Sequence, residues 1–544
     1  MVDCEVRTWT RSARPVAVYP RLTGRLIPGE FPMLGPPKSR RLDAPIAVSL
    51  EALVPVDHFY RHLEAKLDIG FVREWARELY AERGRPSIDP VVFFKLQLVL
   101  FFEGIRSERK LVETASLNLA HRWYLGYALD EPLPDHSSLT RIRQRLGVET
   151  FARFFERVVD LCQEAGLVWG RELYFDATKV RADAAVASLV PRFAVDARAH
   201  VADLFADTQL TVETPATVAP DPAPSDGLLR LPAEESTDEP QAGQATEQRW
   251  DLLAKRRLDP NRPASGSYQR TSDWRASTTD PDATPMRIGG GTALGYHDHY
   301  VVDGGPARVV LAALVTPADV MENQPMRDLL WRVRFRRKLR PRQVTGDTTY
   351  GTVENIAAIE DAGIRAYVPL PDFDRRTPFF GKGDFAYDAD LDAYRCPGGA
   401  VLRPLKHEGT KSAHIYQAPA AACNACLLKA RCTTSRRGRR VRRSADESYL
   451  ELVRSYHATE AYAKAMRKRK VWVEPLFAEA KDWHGLRRFR LRGLDNVNVE
   501  GLLVAAGQNL KRLLSHRGWG RRHAPCGSLV ALPTPPRRFG AVCP

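Results

Sequence analysis

A change in hydrophobic period near residue 172 constrains the fold of this 544-residue chain more than any other feature. From 49 to 168, apolar residues such as Phe71, Trp75 and Leu79 recur about four positions apart, which predicts helices with one buried side. The segment from Glu172 to Val180 is instead short and contains several aromatic and β-branched residues, as is typical of a strand. An all-helical region therefore gives way to a region that contains a sheet.

Strands and helices alternate through the middle of the chain, which predicts an α/β core. The sequence predicts strands at 172–180, 295–303, 307–315, 343–345 and 365–370, and helices at 321–338, 353–362 and 447–516.

Composition sets the remaining boundaries. Residues 1–42 and 516–544 are rich in Arg, Pro and Gly, which predicts a flexible basic arm and a flexible basic tail. An insertion at about 190–285 contains a stretch rich in Pro, Ala, Thr and acids that has too little apolar surface to fold alone. The expected domains are a helical N-terminal domain at 43–168, a first core part at 169–370, a cysteine-rich insertion at 371–443 and a last core part at 444–515.

The charge balance favours a polyanionic partner. Lys and Arg number 81 against 66 Asp and Glu, a net charge of +15, so positive potential covers the surface. No run of about 18 apolar residues occurs, so we expect no membrane span. The N-terminus has no signal pattern and four of the eight cysteines cluster within 396–432, which favours a reducing, cytoplasmic location.

One helix of the N-terminal domain is a candidate DNA contact. Asp135 is placed to cap it, and Arg141, Arg143 and Arg145 follow. We interpret these arginines as one cationic face suited to phosphates.

Three acids stand out by their context. Asp176 lies in the first strand, Asp347 follows a strand end, and Glu474 lies in a strongly basic helix. Any one of them alone is more simply a solvated acid at the end of an element. Together they suit two hard divalent cations, which take oxygen ligands and serve phosphodiester cleavage.

The segment around Glu474 interleaves aromatic residues with cations, as a surface that follows a nucleic-acid backbone does. Glu474 and Lys481 share a helix face about two turns apart. The other candidate DNA-binding cations are Arg467, Lys470, Arg487, Arg488, Arg490 and Arg492.

Three short blocks carry a family resemblance. The segments 175–179 (FDATK), 346–351 (GDTTYG) and 473–477 (VEPLF), with Lys481 and 490–494 (RLRGL) after them, resemble the signature blocks of DDE transposases of bacterial insertion sequences. The resemblance runs from about residue 43 to 514. It implies an RNase H-like catalytic core in which Asp176, Asp347 and Glu474 bind two Mg²⁺, or Mn²⁺, and cut and join DNA at element ends.

The resemblance also bears on the cations. Lys481 matches a lysine seven residues past the catalytic Glu that is associated with contacts to end DNA. The common pattern has Tyr and Arg seven and four residues before that Glu, where this chain has Arg467 and Lys470. A cationic role transfers to these two positions, whereas a tyrosine contact does not.

Four cysteines form a second candidate metal site. Their spacing is C-x26-C-x2-C-x5-C, and four thiolates satisfy tetrahedral Zn²⁺. A structural zinc would staple a small zinc-knuckle-like insertion, followed by a basic strip at 436–443. The alternative is a set of unliganded reduced cysteines, because the last spacing is longer than is usual. The four residues are Cys396, Cys423, Cys426 and Cys432.

Two other pairs are interpreted as structural. His297 and His299 alternate onto one strand face, and we expect them beside the site or facing solvent, since imidazole is a poor ligand for Mg²⁺. Asp280 and Asp282 lie in a turn and are expected to act as caps.

The resemblance and the residues together lead to three hypotheses. The first is a transposase, a homodimer on DNA in the bacterial nucleoid, that binds terminal inverted repeats and catalyses Mg-dependent cleavage and strand transfer. The second is a metal-dependent nuclease of the same fold without strand transfer. The third is a non-catalytic, zinc-stapled DNA-binding regulator, against which the presence of all three acids argues.

Overall fold

The computed structural model describes residues 47–80, 87–206, 275–371, 377–408 and 413–519. The basic arm expected at 1–42, residues 207–274 of the acidic insertion and most of the basic tail lie outside the described residues. The chain divides into two units, Met1–Ser49 and Leu50–Pro544, and every element below belongs to the second.

The N-terminal region consists of helices, as expected. Helix α4 begins at Pro90, where the Asp89 carboxylate accepts a hydrogen bond from the Val91 N–H at 2.9 Å, and most of its apolar side chains are buried. The helices are α1 (Leu50–Leu53), α2 (Phe59–Lys66), α3 (Phe71–Ala76), α4 (Pro90–Phe102), α5 (Glu108–Leu117), α6 (Leu119–Leu125) and α7 (His136–Glu164), which breaks at Gly147.

The single cationic face expected on α7 is wrong. Asp135 caps the helix as predicted, accepting from the Ser137 N–H at 2.8 Å. Arg141 and Arg145 are exposed, but Arg143 is 4% exposed and pairs with Glu108. Two residues along an α-helix rotate a side chain by about 200°, so Arg143 points into the core.

The core sheet has the strand order β4-β5-β1-β7-β8, and β6 also pairs with β5. Strands β5 and β6 run antiparallel to their neighbours, whereas β7 runs parallel to β1 and β8 parallel to β7. The strands are β1 (Glu172–Arg181), β4 (Thr284–Ile288), β5 (Gly291–Asp303), β6 (Val310–Pro317), β7 (Gln343–Thr345) and β8 (Arg365–Tyr367).

The described flanks of the expected acidic insertion are regular. Strands β2 (Leu189–Pro191) and β3 (Arg275–Ser277) pair with each other, and helix α8 spans Arg192–Ala206. The insertion boundaries expected at about 190 and 285 therefore include ordered secondary structure.

The helices of the core follow the expected order with corrected bounds. They are α9 (Met326–Arg336), α10 (Val353–Asp361), α12 (Glu447–His457), α13 (Glu460–Trp472), α14 (Glu474–Trp483) and α15 (Leu494–His516), with the short α11 (Ala420–Asn424) in the insertion. Helix α9 begins at Met326 rather than at Met321, because Pro325 disfavours helical geometry in the residue before it.

Helix α15 joins the helical region to the sheet by packing against both α7 and β6. The Asn509 amide accepts from the Val310 N–H and donates to the Val310 carbonyl, both at 2.8 Å. Asn498 makes the same pair of bonds with Val315, both at 2.9 Å. These amides satisfy backbone groups on the open edge of β6. In the described ranges no helix combines the length and apolarity needed to cross a membrane.

The cysteine-rich insertion contains a second, antiparallel sheet in the order β13-β12-β11-β10-β9. It encloses a small core of its own that includes Phe385, Tyr394, Leu402 and Tyr416. This sheet makes the insertion more regular than the small zinc-knuckle-like insertion that the sequence predicts. Its strands are β9 (Ala386–Asp388), β10 (Ala393–Arg395), β11 (Val401–Glu408), β12 (Ala413–Gln417) and β13 (Arg440–Ser444).

Candidate active site

Parallel pairing of β1 and β7 brings two of the predicted acids to one level. Tyr174 of β1 is in register with Thr345 of β7, so Asp176 and Asp347 each follow two residues beyond a paired position. The chain leaves β7 after Thr345, and the Asp347 carboxylate caps the next turn by accepting from the Thr349 N–H at 2.8 Å. Neighbouring strands thus hold these two carboxylates side by side.

The third acid lies on a helix rather than on the sheet. Glu474 is the first residue of α14 and is exposed. The preceding helix, α13, is fastened to the sheet: the Trp472 indole N–H donates to the Gly305 carbonyl at 2.9 Å, and Lys468 Nζ donates to the Gly304 carbonyl at 2.6 Å. This anchorage sets where α14 begins.

Electrostatics shows that the three acids share one neighbourhood. Asp176 is largely buried in β1, and burial is the main cause that raises its pKa to about 6. The carboxylates of Asp347 and Glu474 raise this pKa further, while the Arg469 guanidinium lowers it. Asp347 and Glu474 therefore each act on Asp176 from a different element.

Arg469 is a partner of the site that sequence reasoning missed. Its Nη1 donates to Asp176 Oδ2 at 2.9 Å, and both side chains are largely buried. It lies in α13, five residues before Glu474, between the two cations that the family pattern singled out. The sequence did not distinguish Arg469 from the basic residues on either side of it, because a sequence does not show which cation of a run faces the sheet.

The acids are neighbours but not a preformed ligand set. Within the ranges that the structure describes, no group of three or more His, Cys, Asp or Glu side chains is arranged to hold a metal ion. Arg469 occupies one side of the Asp176 carboxylate. The donor chemistry, oxygen atoms from carboxylates, nevertheless suits Mg²⁺.

Lys481 is bound into the core beside the acids. Its Nζ donates to Thr178 Oγ1, two residues along β1 from Asp176. Burial is the main cause that lowers the pKa of Lys481, and the nearby Asp298 opposes this effect. Asp298 is fully buried in β5 and both carboxylate oxygens lack a hydrogen-bond partner.

The predicted DNA-binding cations fall into two groups. Arg467 and Lys470 are exposed on α13 and form no ion pair within the described chain. The later arginines are paired: Arg487 with Asp482, Arg488 and Arg492 with Asp183, and Arg490 with Glu108.

The four cysteines gather around one cavity of about 640 Å³ in the insertion. Cys396 Sγ accepts from the Ala400 N–H at 3.3 Å, and Cys423 Sγ accepts from the Arg439 N–H at 3.4 Å. Among the described residues these four do not form a metal-holding group. The zinc expected from their spacing is therefore not supported by the arrangement.

The histidine pair and the aspartate pair that we interpreted as structural both have structural roles. His297 and His299 are buried in β5 rather than facing solvent; His297 Nδ1 lies 3.1 Å from the Val320 carbonyl and His299 Nε2 lies 2.8 Å from Thr316 Oγ1. Asp280 accepts from the Gly493 N–H at 3.1 Å and Asp282 from the Leu494 N–H at 2.9 Å, so both cap α15 as expected.

Two family models match the chain. The Transposase domain (DUF772) matches residues 48–145, within the N-terminal helices, and the Transposase DDE domain matches residues 395–514. The second interval contains Glu474, Lys481 and the four cysteines, whereas Asp176 and Asp347 lie outside both. No curated protein and no solved structure matches the chain.

Both matched models describe transposases, so this is the class to which the helices and the mixed α/β region belong. Together the two matches support a DDE-type transposase of an insertion sequence. A DDE domain implies an enzyme of the nucleotidyl-transferase type that acts on DNA and uses a divalent metal ion, Mg²⁺.

Proposed function

We propose that this protein binds the terminal inverted repeats of its element as a homodimer and catalyses Mg-dependent cleavage and strand transfer there. The observation that carries the proposal is the shared electrostatic neighbourhood of Asp176, Asp347 and Glu474, which come from two adjacent strands and a helix. The homodimer is included because an element has two ends to be joined.

The strand order supports an RNase H-like core. In chain order, β1, β5 and β6 form an antiparallel set, after which β7 and β8 add on the other side of β1 in parallel. This arrangement places the middle of β1 and the end of β7 together, where the first two acids of such a core belong. The candidate acids lie at these two positions.

Asp176, Asp347 and Glu474 are the residues that would hold Mg²⁺. Bound there, Mg²⁺ would activate the attacking oxygen and stabilise the leaving oxygen of the phosphodiester. The chain supplies the carboxylate oxygens, and Arg469 neutralises Asp176 while no metal is bound. Lys481, held by Thr178, keeps a positive charge beside the acids, where it can meet a phosphate.

The exposed cations of α13 are the leading DNA contacts in this proposal. Arg467 and Lys470 flank Arg469 in sequence and are available to phosphates. Arg487, Arg488, Arg490 and Arg492 would have to exchange their protein partners for phosphate, so their contribution to affinity is smaller.

The test compares cleavage with binding on duplexes that carry the element ends. Asp176→Asn, Asp347→Asn and Glu474→Gln each remove one negative charge with little change of shape, so cleavage should collapse while the mobility shift persists. Asp328→Asn, at an exposed acid of α9, is the matched control and should cut like the wild type. Normal cleavage by all three triad variants would refute the proposal.

The same reaction distinguishes the nuclease alternative. Cleaved ends incubated with a supercoiled target plasmid should become joined to it if the protein is a transposase. Mg-dependent cleavage without joined products would instead indicate a nuclease of the same fold. DNA binding without any cleavage would favour the non-catalytic regulator.

We also propose that the cysteine-lined cavity takes a structural Zn²⁺. A Cβ at Gly398 would stand 3.0 Å from Cys426 Sγ and 3.8 Å from Cys396 Sγ, so the glycine leaves room for two thiols to approach. Burial is the main cause that raises the pKa of Cys432, and the other three thiols raise it further. The four thiols act on one another electrostatically without forming a metal-holding group, so Zn²⁺ would have to draw them together, and each thiol would have to lose its proton.

Elemental analysis of the purified full chain tests the zinc proposal. About one zinc per chain is expected, and Cys423→Ser with Cys426→Ser should remove it. Cys162→Ser is the control, because this buried cysteine belongs to α7 and not to the insertion. Zinc-free wild-type protein would eliminate the site.

A further inference from the structure

The sheet of the cysteine-rich insertion has one face that is rich in cations. Strands β11, β12 and β13 are paired, and their registers place side chains of the three strands in rows across the sheet. Residues directly opposite one another on paired strands project from the same side of a sheet, so each row lies on one face. One row is Arg403, Gln417 and Arg440, and the next is Lys406, Ile415 and Arg442. Neither row contains an acid.

The opposite face of this sheet covers the small core of the insertion. Tyr416 and Val441, which alternate along their strands with the residues of the two rows, are buried in that core. Arg443 points to the same side, because its guanidinium lies 3.7 Å from the centre of the Tyr387 ring and its Nη1 donates to Glu451 Oε1 at 2.7 Å. The two rows therefore occupy the face that the core of the insertion leaves open.

The four cations of the two rows are exposed. Arg440 Nε donates to Gln417 Oε1 at 2.7 Å, which holds the guanidinium over the face without neutralising it. Among the described residues, Arg403, Lys406 and Arg440 form no ion pair with an acid; the nearby Arg443 on the other face does. Two residues along a strand span about 7 Å and two strand spacings about 10 Å, so the four charges are concentrated in a small area. Such a concentration of positive charge favours a polyanionic partner.

The insertion is fastened to the core of the protein through α12. The buried Glu447 carboxylate at the start of α12 pairs with Lys382 Nζ of the insertion at 2.5 Å. At the other end of α12, His457 Nε2 lies 3.0 Å from the Val368 carbonyl, just after β8. The cationic face is therefore held by the core of the protein rather than by a loose connection.

The breadth of the sheet limits how it can contact DNA. Five strands about 4.8 Å apart span roughly 19 Å, whereas the major groove of DNA is about 12 Å wide. The face is therefore too broad to enter the groove, and its cations meet phosphates at the surface of the duplex. Phosphate contacts position a protein on DNA but carry no sequence information. This face thus suits duplex DNA that is engaged irrespective of its sequence.

We propose that the cationic sheet face, formed by Arg403, Lys406, Arg440 and Arg442, binds the backbone of the target DNA duplex. This inference rests on the proposed function, since a target is engaged only if cleaved ends are joined to it. Terminal repeats have to be distinguished from other DNA by base contacts, which this face cannot make. A target duplex can be held through its phosphates alone.

The salt dependence of binding measures the contact directly. In the full-length protein, Arg403→Gln with Arg440→Gln should lower the magnitude of the slope of log affinity against log salt by about 2 for a duplex of unrelated sequence, since each phosphate contact contributes about 0.9. Arg403→Lys with Arg440→Lys keeps both charges and should restore the slope. Arg327→Gln with Arg340→Gln, which removes two exposed charges elsewhere, is the matched control and should bind like the wild type.

Strand joining separates the target from the element ends. With precleaved ends, the double Gln variant of Arg403 and Arg440 should need more supercoiled plasmid for half-maximal joining, in proportion to its weaker affinity, and the loss should be confined to joining. A wild-type slope and wild-type joining in this variant would reject the target surface and leave the proposed function intact. An equal loss in cleavage of end-bearing duplex would also reject it, because the face would then hold the element ends. A wild type that neither cleaves nor joins would refute the proposed function and, with it, the assignment of a target.

Discussion

Two carboxylates of one helix have opposite environments. Glu474 begins α14, is exposed and forms no ion pair within the described chain, while it acts electrostatically on Asp176. Glu479, five residues later and rotated by roughly 140°, is 19% exposed and accepts from Lys511 Nζ at 2.6 Å. Arg512 Nη2 lies 3.4 Å and His484 Nε2 lies 3.7 Å from the same carboxylate.

The difference shows which acid is structural and which is available. The cations of α15 neutralise Glu479, so it joins two helices. No cation of the described chain neutralises Glu474, so its charge is left for a ligand. The two residues are of the same type and lie in the same helix, and the neighbouring helix makes the distinction.

The largest expected effect separates the two acids by catalysis. Glu474→Gln should lower the cleavage rate by about 10³-fold or more, because it removes a charge used only with the metal. Its free energy of unfolding should change by less than about 0.5 kcal/mol. Glu479→Gln should cut at the wild-type rate per folded molecule, measured on end-bearing duplex with the folded fraction known. The reverse pattern would assign the third ligand to Glu479.

Unfolding separates the same two acids by stability. Glu479→Gln leaves Lys511 and the largely buried Arg512 without their partner, and should lower the free energy of unfolding by about 1–3 kcal/mol. Urea denaturation followed by circular dichroism measures this. Glu113→Gln, which breaks an exposed pair with Lys110, is the control and should cost less than about 0.5 kcal/mol. Equal losses in both variants would mean that Glu479 is not a helix-joining residue.

The contribution of Glu479 to the free energy of unfolding should depend on pH in a defined direction. Burial alone would raise the pKa of Glu479, but His484, Lys511 and Arg512 outweigh it and lower that pKa to about 2. Because the folded pKa lies below the unfolded one, the contribution is full above about pH 4.5 and is lost as the pH falls toward about 2. The stability difference between the wild type and Glu479→Gln should therefore shrink over this interval. A difference that grows on acidification would contradict the assignment.

The smallest effect concerns the cations. Replacing Arg467 and Lys470 by Ala should lower the magnitude of the slope of log affinity against log salt by about 2, since each phosphate contact contributes about 0.9. Lys511→Ala should leave the slope unchanged, because Glu479 already holds this lysine. Fluorescence anisotropy of end DNA over a range of salt concentrations measures both. Equal slopes in all three proteins would show that exposure on α13 does not select the DNA contacts.

The predicted elements fared best where the signal was local. The strand predicted from the aromatic and β-branched residues of β1 and the cap at Asp135 were confirmed, because each depends on a few consecutive residues. The cationic face of α7 was wrong, since a tertiary contact with Glu108 draws Arg143 inward. The helix expected from Met321 begins only after Pro325.

The sequence by itself determined the class of the protein, the order of helices and strands, and the three acids that resemble a DDE triad, because these are encoded in local pattern and in short motifs. Only the tertiary structure decided which charges meet. Arg469 rather than Arg467 or Lys470 faces Asp176, and Glu479 is neutralised by α15. The physical reason is that electrostatic energy depends on distances between side chains far apart in the sequence, and packing of helices on the sheet sets those distances.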